Sequence, residues 1–138
     1  LYPELPQILA NPNRLDEVLI NLIANAIQEL DKVGHEIRKI SCSTWPDENC
    51  VVLEVSDNAV GIEENIIDHI FEPFVTTKSV RQGMGLGLSV VHTIVTRLGG
   101  QVYAYNRNEG GATFMVKLPT LGARQEGGIR DEHEYSSG

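Results

Sequence analysis

The sequence predicts an α+β domain of two layers: one mixed five-stranded sheet with about three helices on one face. Three observations carry that expectation. Residues 14–30 set Leu15, Val18, Leu19, Leu22, Ile23, Ala26, Ile27 and Leu30 at helical spacing, the pattern of a helix that buries one side. Five segments, 7–10, 37–45, 50–57, 101–106 and 112–118, read as strands. Strands and helices do not alternate throughout, which suggests a single sheet covered on one face.

Taken in order, Asn11-Pro12-Asn13 closes the first short strand and leads into the long helix. Within that helix Asn21 and Asn25 stand four apart, at the border of the apolar stripe. Asparagine is a poor interior helix residue because its amide competes with the backbone. Two of them on one edge either serve a ligand or bond a neighbouring loop. Val33-Gly34 ends the helix, and residues 37–45 and 50–57 form a hairpin around Pro46-Asp47-Glu48-Asn49, which sets Cys50 near Trp45 and Cys42 near Leu53. Ser56-Asp57-Asn58 then lies at a strand's carboxyl end, where a buried acid can meet a ligand. Ala59-Val60-Gly61-Ile62 turns the chain, and residues 63–70 read as a short helix with acids in its first turn. Phe71-Glu72-Pro73-Phe74 precedes a polar loop over residues 75–85. Leu86, Val90, Val91, Ile94, Val95 and Leu98 line one face of the next helix, which Gly99-Gly100 terminate. The last two strands are joined by Arg107-Asn108-Glu109-Gly110-Gly111, a hairpin signal.

The stretch Gly83-Met84-Gly85-Leu86-Gly87-Leu88-Ser89 carries the strongest chemical signal. Alternate glycines leave backbone N–H groups free to turn toward an anion, and the helix that follows adds its positive N-terminus. No Asp or Glu occurs between Glu72 and Glu109, where an even spread would place about five; Lys78, Arg81, Arg97 and Arg107 fall in the gap. A phosphate site or an ordinary flexible loop both satisfy the glycines alone. The spacing excludes a P-loop, since no Lys follows the glycines, and a dinucleotide fingerprint, since Leu88 stands where its third glycine belongs.

Composition bounds the rest. A chain of 138 residues with 41% apolar content fits one domain with its own core. A net charge of −8 argues against a nucleic-acid surface and against an anionic membrane. No apolar run is long enough to span a bilayer and no signal-peptide pattern is present, so a soluble domain is expected, and a first residue other than Met suggests a piece of a longer polypeptide. Cys42 and Cys50 do not face each other in the expected hairpin, which fits a reducing cytoplasm. Cysteine and histidine spacing offers no metal site.

Four motifs in order resemble the N, G1, F and G2 boxes of the ATP-binding catalytic domain of sensor histidine kinases. They are Asn21-Leu22-Ile23-Ala24-Asn25-Ala26, Asp57-Asn58-Ala59-Val60-Gly61-Ile62, Phe71-Glu72-Pro73-Phe74-Val75-Thr76-Thr77-Lys78 and Gly83-Met84-Gly85-Leu86-Gly87-Leu88. The F-box form is most similar to the nitrogen- and dicarboxylate-sensing branch. The resemblance implies a Bergerat-type sandwich shared with gyrase, Hsp90 and MutL. It makes residues 1–119 the catalytic ATP-binding domain, and residues 120–138, glycine-rich, polar and without periodicity, read as a flexible polar tail.

By the same resemblance, Asp57 accepts a hydrogen bond from the adenine amino group, with Thr113 close by and Gly61 and Ile62 beside it. A carboxylate there favours ATP over GTP, which shows a carbonyl at the corresponding place. Asn25 holds Mg²⁺, and Asn21 contacts phosphate or a metal-bound water. Gly83, Gly85 and Gly87, with Leu86 and Leu88, cradle the phosphates, and Lys78 reaches the terminal ones. Phe71 and Phe74 anchor a lid over residues 75–85. The implied reaction is transfer of the γ-phosphoryl group to a histidine of a dimerising hairpin that this chain lacks, with a response regulator downstream. His35-Glu36 lies after the N box rather than upstream of it and reads as a turn, not an acceptor. The isolated piece is expected to be monomeric and cytoplasmic.

Two departures and three alternatives accompany the resemblance. Ala59 replaces the first glycine of the usual Asp-x-Gly-x-Gly, where its methyl group threatens to crowd the base, and Gln28 stands where many relatives carry a phosphate-contacting Lys. A hydrolase of the gyrase–Hsp90–MutL type commonly has Glu at the position of Asn21, with Glu17 one turn further back. A serine kinase of the anti-sigma type and a nucleotide-binding remnant without activity are the other two.

Overall fold

The computed structural model describes residues 5–34, 37–72 and 87–122. Helix α1 spans Pro12–Asp31. Asn11 caps it, its Oδ1 accepting from the Asn13 N–H at 2.9 Å, and proline occupies the first turn, where a missing N–H costs nothing. Val18, Leu22, Asn25, Ala26 and Leu30 form the buried stripe, so Asn25 lies inside the apolar face rather than at its border.

Strands β1 (Ile40–Asp47) and β2 (Cys50–Asp57) form a hairpin. Asp47 pairs with Cys50 across a two-residue turn in which Glu48 takes φ 54°. Cys42 therefore faces Val55 and Trp45 faces Val52, two residues out of the expected register. Both cysteines are free, and burial pushes the Cys42 thiol up from its ordinary value. Helix α2 is a single turn, Glu64–Ile67. The next described helix, α3, covers Gly87–Arg97 and starts inside the glycine run. Strands β3 (Gln101–Asn106) and β4 (Ala112–Pro119) close the domain.

The sheet order is β1-β2-β4-β3, and every neighbouring pair is antiparallel. The α+β class stands, with four strands among the described residues in place of a mixed five. Residues 7–10 form no strand; the Gln7 carbonyl instead accepts from the Leu121 N–H at 2.7 Å. Thr120, at the start of the expected tail, donates its N–H to the Asn49 carbonyl at 2.8 Å.

Helices α1 and α3 pack on each other and on one sheet face. Val18 and Leu22 of α1 meet Leu88, Val91 and Val95 of α3 over Val55, Phe114 and Val116. Leu22, Val91, Val95 and Val116 are buried almost completely, so this layer excludes water and fixes the helix spacing. The opposite face of the sheet carries the alternate residues, among them Ser41, Ser56, Thr113 and Tyr105, which share one cross-strand row.

Candidate functional site

The carboxyl end of β2 drives an acid into the interior. Asp57 is 2% exposed, and its Oδ1 accepts from the Ala59 N–H at 3.0 Å and the Ala112 N–H at 3.3 Å. Two backbone donors make a buried carboxylate tolerable. Both fall on one oxygen, and among the described residues no donor meets Oδ2, which leaves it its acceptor capacity there. The Arg107 guanidinium donates to the Asp57 carbonyl at 3.0 Å and also meets Glu109 at 3.3 Å. That pairing, after a backbone hydrogen bond, holds the Glu109 carboxyl below its ordinary value. Gly111 adopts φ 91°, and a Cβ there would stand 2.0 Å from the Asp57 carbonyl, so only glycine lets the hairpin close on β2.

Asp57 opens into a cavity of about 240 Å³ between α1, the G1 turn and β4. Asn25 and Glu29 line it from α1, Lys32 from the residue that caps that helix, Gly61, Ile62 and Glu63 from the turn, Leu88 from α3, and Ala112 and Phe114 from β4. Apolar walls with a few fixed polar groups are the usual make-up of a small-molecule site. Asn25, only 6% exposed, presents its amide from the helix that packs above Asp57. Asn21 lies one turn earlier; its Nδ2 donates to the Glu17 carbonyl at 2.8 Å, and a Cβ on Gly87 would stand 3.1 Å from its Oδ1. The two asparagines thus lie along one line from the cavity to the start of α3.

The expected site residues separate into four groups. Asn25, Asp57, Gly61, Ile62 and Leu88 share the cavity wall, and Asn21 and Gly87 meet beside it. Phe71 does not line the cavity but backs one of its walls, stacked on His92 at 5.9 Å and edge-on to the lining residue Phe114 at 6.1 Å. Thr113 is a correction: it follows Ala112 on β4 and faces the other side of the sheet, where its hydroxyl meets Ser56 at 2.8 Å. Strand alternation puts Ala112, not Thr113, beside Asp57. Lys78, Gly83, Gly85, Leu86, Phe74 and His35 lie outside the described residues.

The two departures also find places. Ala59 is buried against Leu30 and Val33 beneath the end of α1 and does not line the cavity, so its methyl group fills a small apolar cluster. Its φ is not positive, so an alanine is unstrained there. Gln28 turns a buried Oε1 inward without a partner among the described residues. Lys32 is the cation of the described wall, 3.8 Å from Glu29. Its spacing of seven from Asn25 puts it on the same helix face, a signal readable from the sequence. Arg97 lies instead in a groove between α1 and α3 with Arg14 and Glu17.

Asn106 was not foreseen. Its Oδ1 accepts from the Ile62 N–H at 2.7 Å and its Nδ2 donates to the Ile62 carbonyl at 2.8 Å. Nothing local announces a contact across 44 positions.

This geometry has many counterparts. Residues 10–122 match the family of histidine kinase-, DNA gyrase B- and HSP90-like ATPases. The two-component sensor PprA of Pseudomonas aeruginosa is 40% identical over 124 residues, which cover 84% of this chain and 13% of that protein. The catalytic domain of the histidine kinase ThkA superposes with a TM-score of 0.69 at 34% identity, covering 82% of this chain and 70% of that one. Full-length ShkA in complex with AMPPNP superposes with a TM-score of 0.69 at 31% identity, over 84% of this chain and 23% of that one. The chain thus spans a small part of the full-length sensors it matches. It belongs to the family of histidine kinase-, DNA gyrase B- and HSP90-like ATPases, as a histidine kinase ATP-binding domain.

Proposed function

We propose that this domain binds Mg-ATP and donates the γ-phosphoryl group to a histidine on a separate dimerising hairpin of its parent chain, from which a response regulator draws the phosphate. The observation that carries the reading is the buried Asp57 at one end of a cavity whose facing helix supplies Asn25. Oδ2 of Asp57 accepts the adenine amino hydrogen, and the apolar walls take the faces of the ring. The likeness to ShkA, solved with the ATP analogue AMPPNP, supports a nucleotide as ligand.

The donor set fits magnesium. Among the described residues no cluster of three acidic, histidine or cysteine side chains would hold a metal alone, whereas neutral amides suit an ion whose charge the phosphates balance. Asn25 would hold it by its amide oxygen, with Asn21 alongside; the ion supplies charge neutralisation on the phosphates. The start of α3 at Gly87 turns the positive end of a helix toward the anion. In the transfer an imidazole nitrogen forms a bond to γ-phosphorus as the bond to the bridging oxygen breaks and ADP leaves, so the work of the domain is positioning and charge stabilisation. Lys78 and the glycines at 83 and 85 belong to the same proposal.

Hydrolysis is the weaker reading. Asn21 cannot take a proton from water, and Glu17 pairs with Arg14 at 3.0 Å on the groove side of α1, away from the cavity. We place the domain in the cytoplasm and as a monomer on its own; among the described residues no helix is long and apolar enough to cross a membrane. The test supplies the phosphoacceptor hairpin of the parent chain in trans with ATP labelled at the γ position. Acid-labile label on the hairpin, and none on this domain alone, is expected. Release of free phosphate without a labelled histidine, or label on His35, would contradict the proposal.

A further inference from the structure

We propose that Asn106 is a positioning residue for base selectivity: its carboxamide clamps both main-chain groups of Ile62 and so fixes the cavity wall beside Asp57. The inference rests on the nucleotide reading above and names a residue outside the four boxes.

The clamp is a closed ring of two hydrogen bonds, 2.7 Å to the Ile62 N–H and 2.8 Å to the Ile62 carbonyl. Asparagine is suited to it because one planar group offers an acceptor and a donor side by side, as a paired strand does. The neighbouring turn is built around the clamp. Gly61 takes φ 92°, and a Cβ there would stand 2.8 Å from Asn106 Oδ1, so the side chain seats only against bare backbone.

Asn106 is also wired to the acid. It ends β3 opposite Ala112, whose N–H binds Asp57 Oδ1, and the next residue, Arg107, holds the Asp57 carbonyl. A single hairpin end therefore sets Asp57 on one side and Ile62 on the other. The distance between the base's hydrogen-bond acceptor and the wall its ring rests on is governed by that hairpin. Misplacing the wall weakens the contact that distinguishes adenine from guanine, while the phosphate end, built on α1 and α3, is left in place.

The experiment measures ATP and GTP binding to this chain and to Asn106→Ala and Asn106→Asp, with thermal unfolding alongside. Asn106→Ala is expected to lose roughly tenfold in ATP affinity with GTP changed less than about twofold, and Asn106→Asp, which keeps the acceptor, to fall between. Equal losses for both nucleotides, or no loss, would overturn the proposal, because a purely structural role lowers stability without altering the ratio. Exchange of the Ile62 amide hydrogen in the unmodified chain decides the matter if the variants do not fold: slow exchange supports the clamp and exchange at the open-chain rate refutes it. Failure of the unmodified chain to bind ATP would refute the nucleotide reading itself; binding with an unaffected Asn106→Ala would refute the clamp alone.

Discussion

Two buried polar pairs sit one residue apart at the same end of the sheet, on opposite faces. On the open face Ser56 and Thr113 join hydroxyl to hydroxyl at 2.8 Å, and each is buried. On the helix face Asp57 receives the N–H groups of Ala59 and Ala112 on one oxygen and keeps the other for the cavity. The first pair satisfies itself within the protein and is part of the fold. The second takes both backbone donors on one oxygen, and under the proposed function the other oxygen is the acceptor that reads the base.

Substitutions separate the two faces. Asp57→Asn is expected to cost the most in binding, about 100-fold in ATP affinity, because an amide NH₂ meets the adenine amino group donor to donor; isothermal titration checks it, and unfolding is expected to change little since the amide oxygen still accepts from Ala59 and Ala112. Gly111→Ala combines both kinds of damage. A methyl group 2.0 Å from the Asp57 carbonyl at φ 91° must push the hairpin off β2, lowering stability by about 1–3 kcal/mol and ATP affinity with it, readable from urea unfolding and titration together. Thr113→Val leaves the Ser56 hydroxyl without its partner and is expected to cost about 1–2 kcal/mol of stability with ATP binding unchanged; reduced binding would show that the faces are coupled. Tyr105→Phe is expected to change stability by less than about 0.5 kcal/mol, since its hydroxyl meets Glu54 at 3.3 Å on the exposed side. Burial and the nearby Glu54 carboxylate raise the Tyr105 phenol above its ordinary value, and spectroscopic titration of Tyr105→Phe against the unmodified chain checks the assignment.

The same contrast marks what the sequence made legible. Helix α1 and strand β3 follow directly from periodicity and turn signals, because helical burial and short strands with clear borders leave a local trace. Asp57 was legible from its place at a strand end, and Asn25 from its cost in a helix interior. The face of Thr113 was not, since it depends on which β4 residue stands opposite Ser56, a register set by the close approach at Gly111. The hairpin register slipped by two because Pro46 reads as a turn residue, whereas the turn is made by Glu48 at φ 54° and Asn49. Residues 7–10 have strand-like composition but pair with no strand among the described residues, where the Gln7 carbonyl accepts from the Leu121 N–H. Asn106 left no local trace because its partner is distant in the chain, and Ala59 looked costly only while its methyl group was imagined in the cavity instead of against Leu30 and Val33.

The most direct measurement is calorimetric titration of this chain with ATP and with GTP in the presence of Mg²⁺, repeated on Asp57→Asn. ATP binding that GTP does not match, and that the substitution weakens about 100-fold while the domain stays folded, is the result expected if the second oxygen of Asp57 reads the adenine amino group. Equal binding of the two nucleotides, or ATP affinity indifferent to Asp57→Asn, would contradict it.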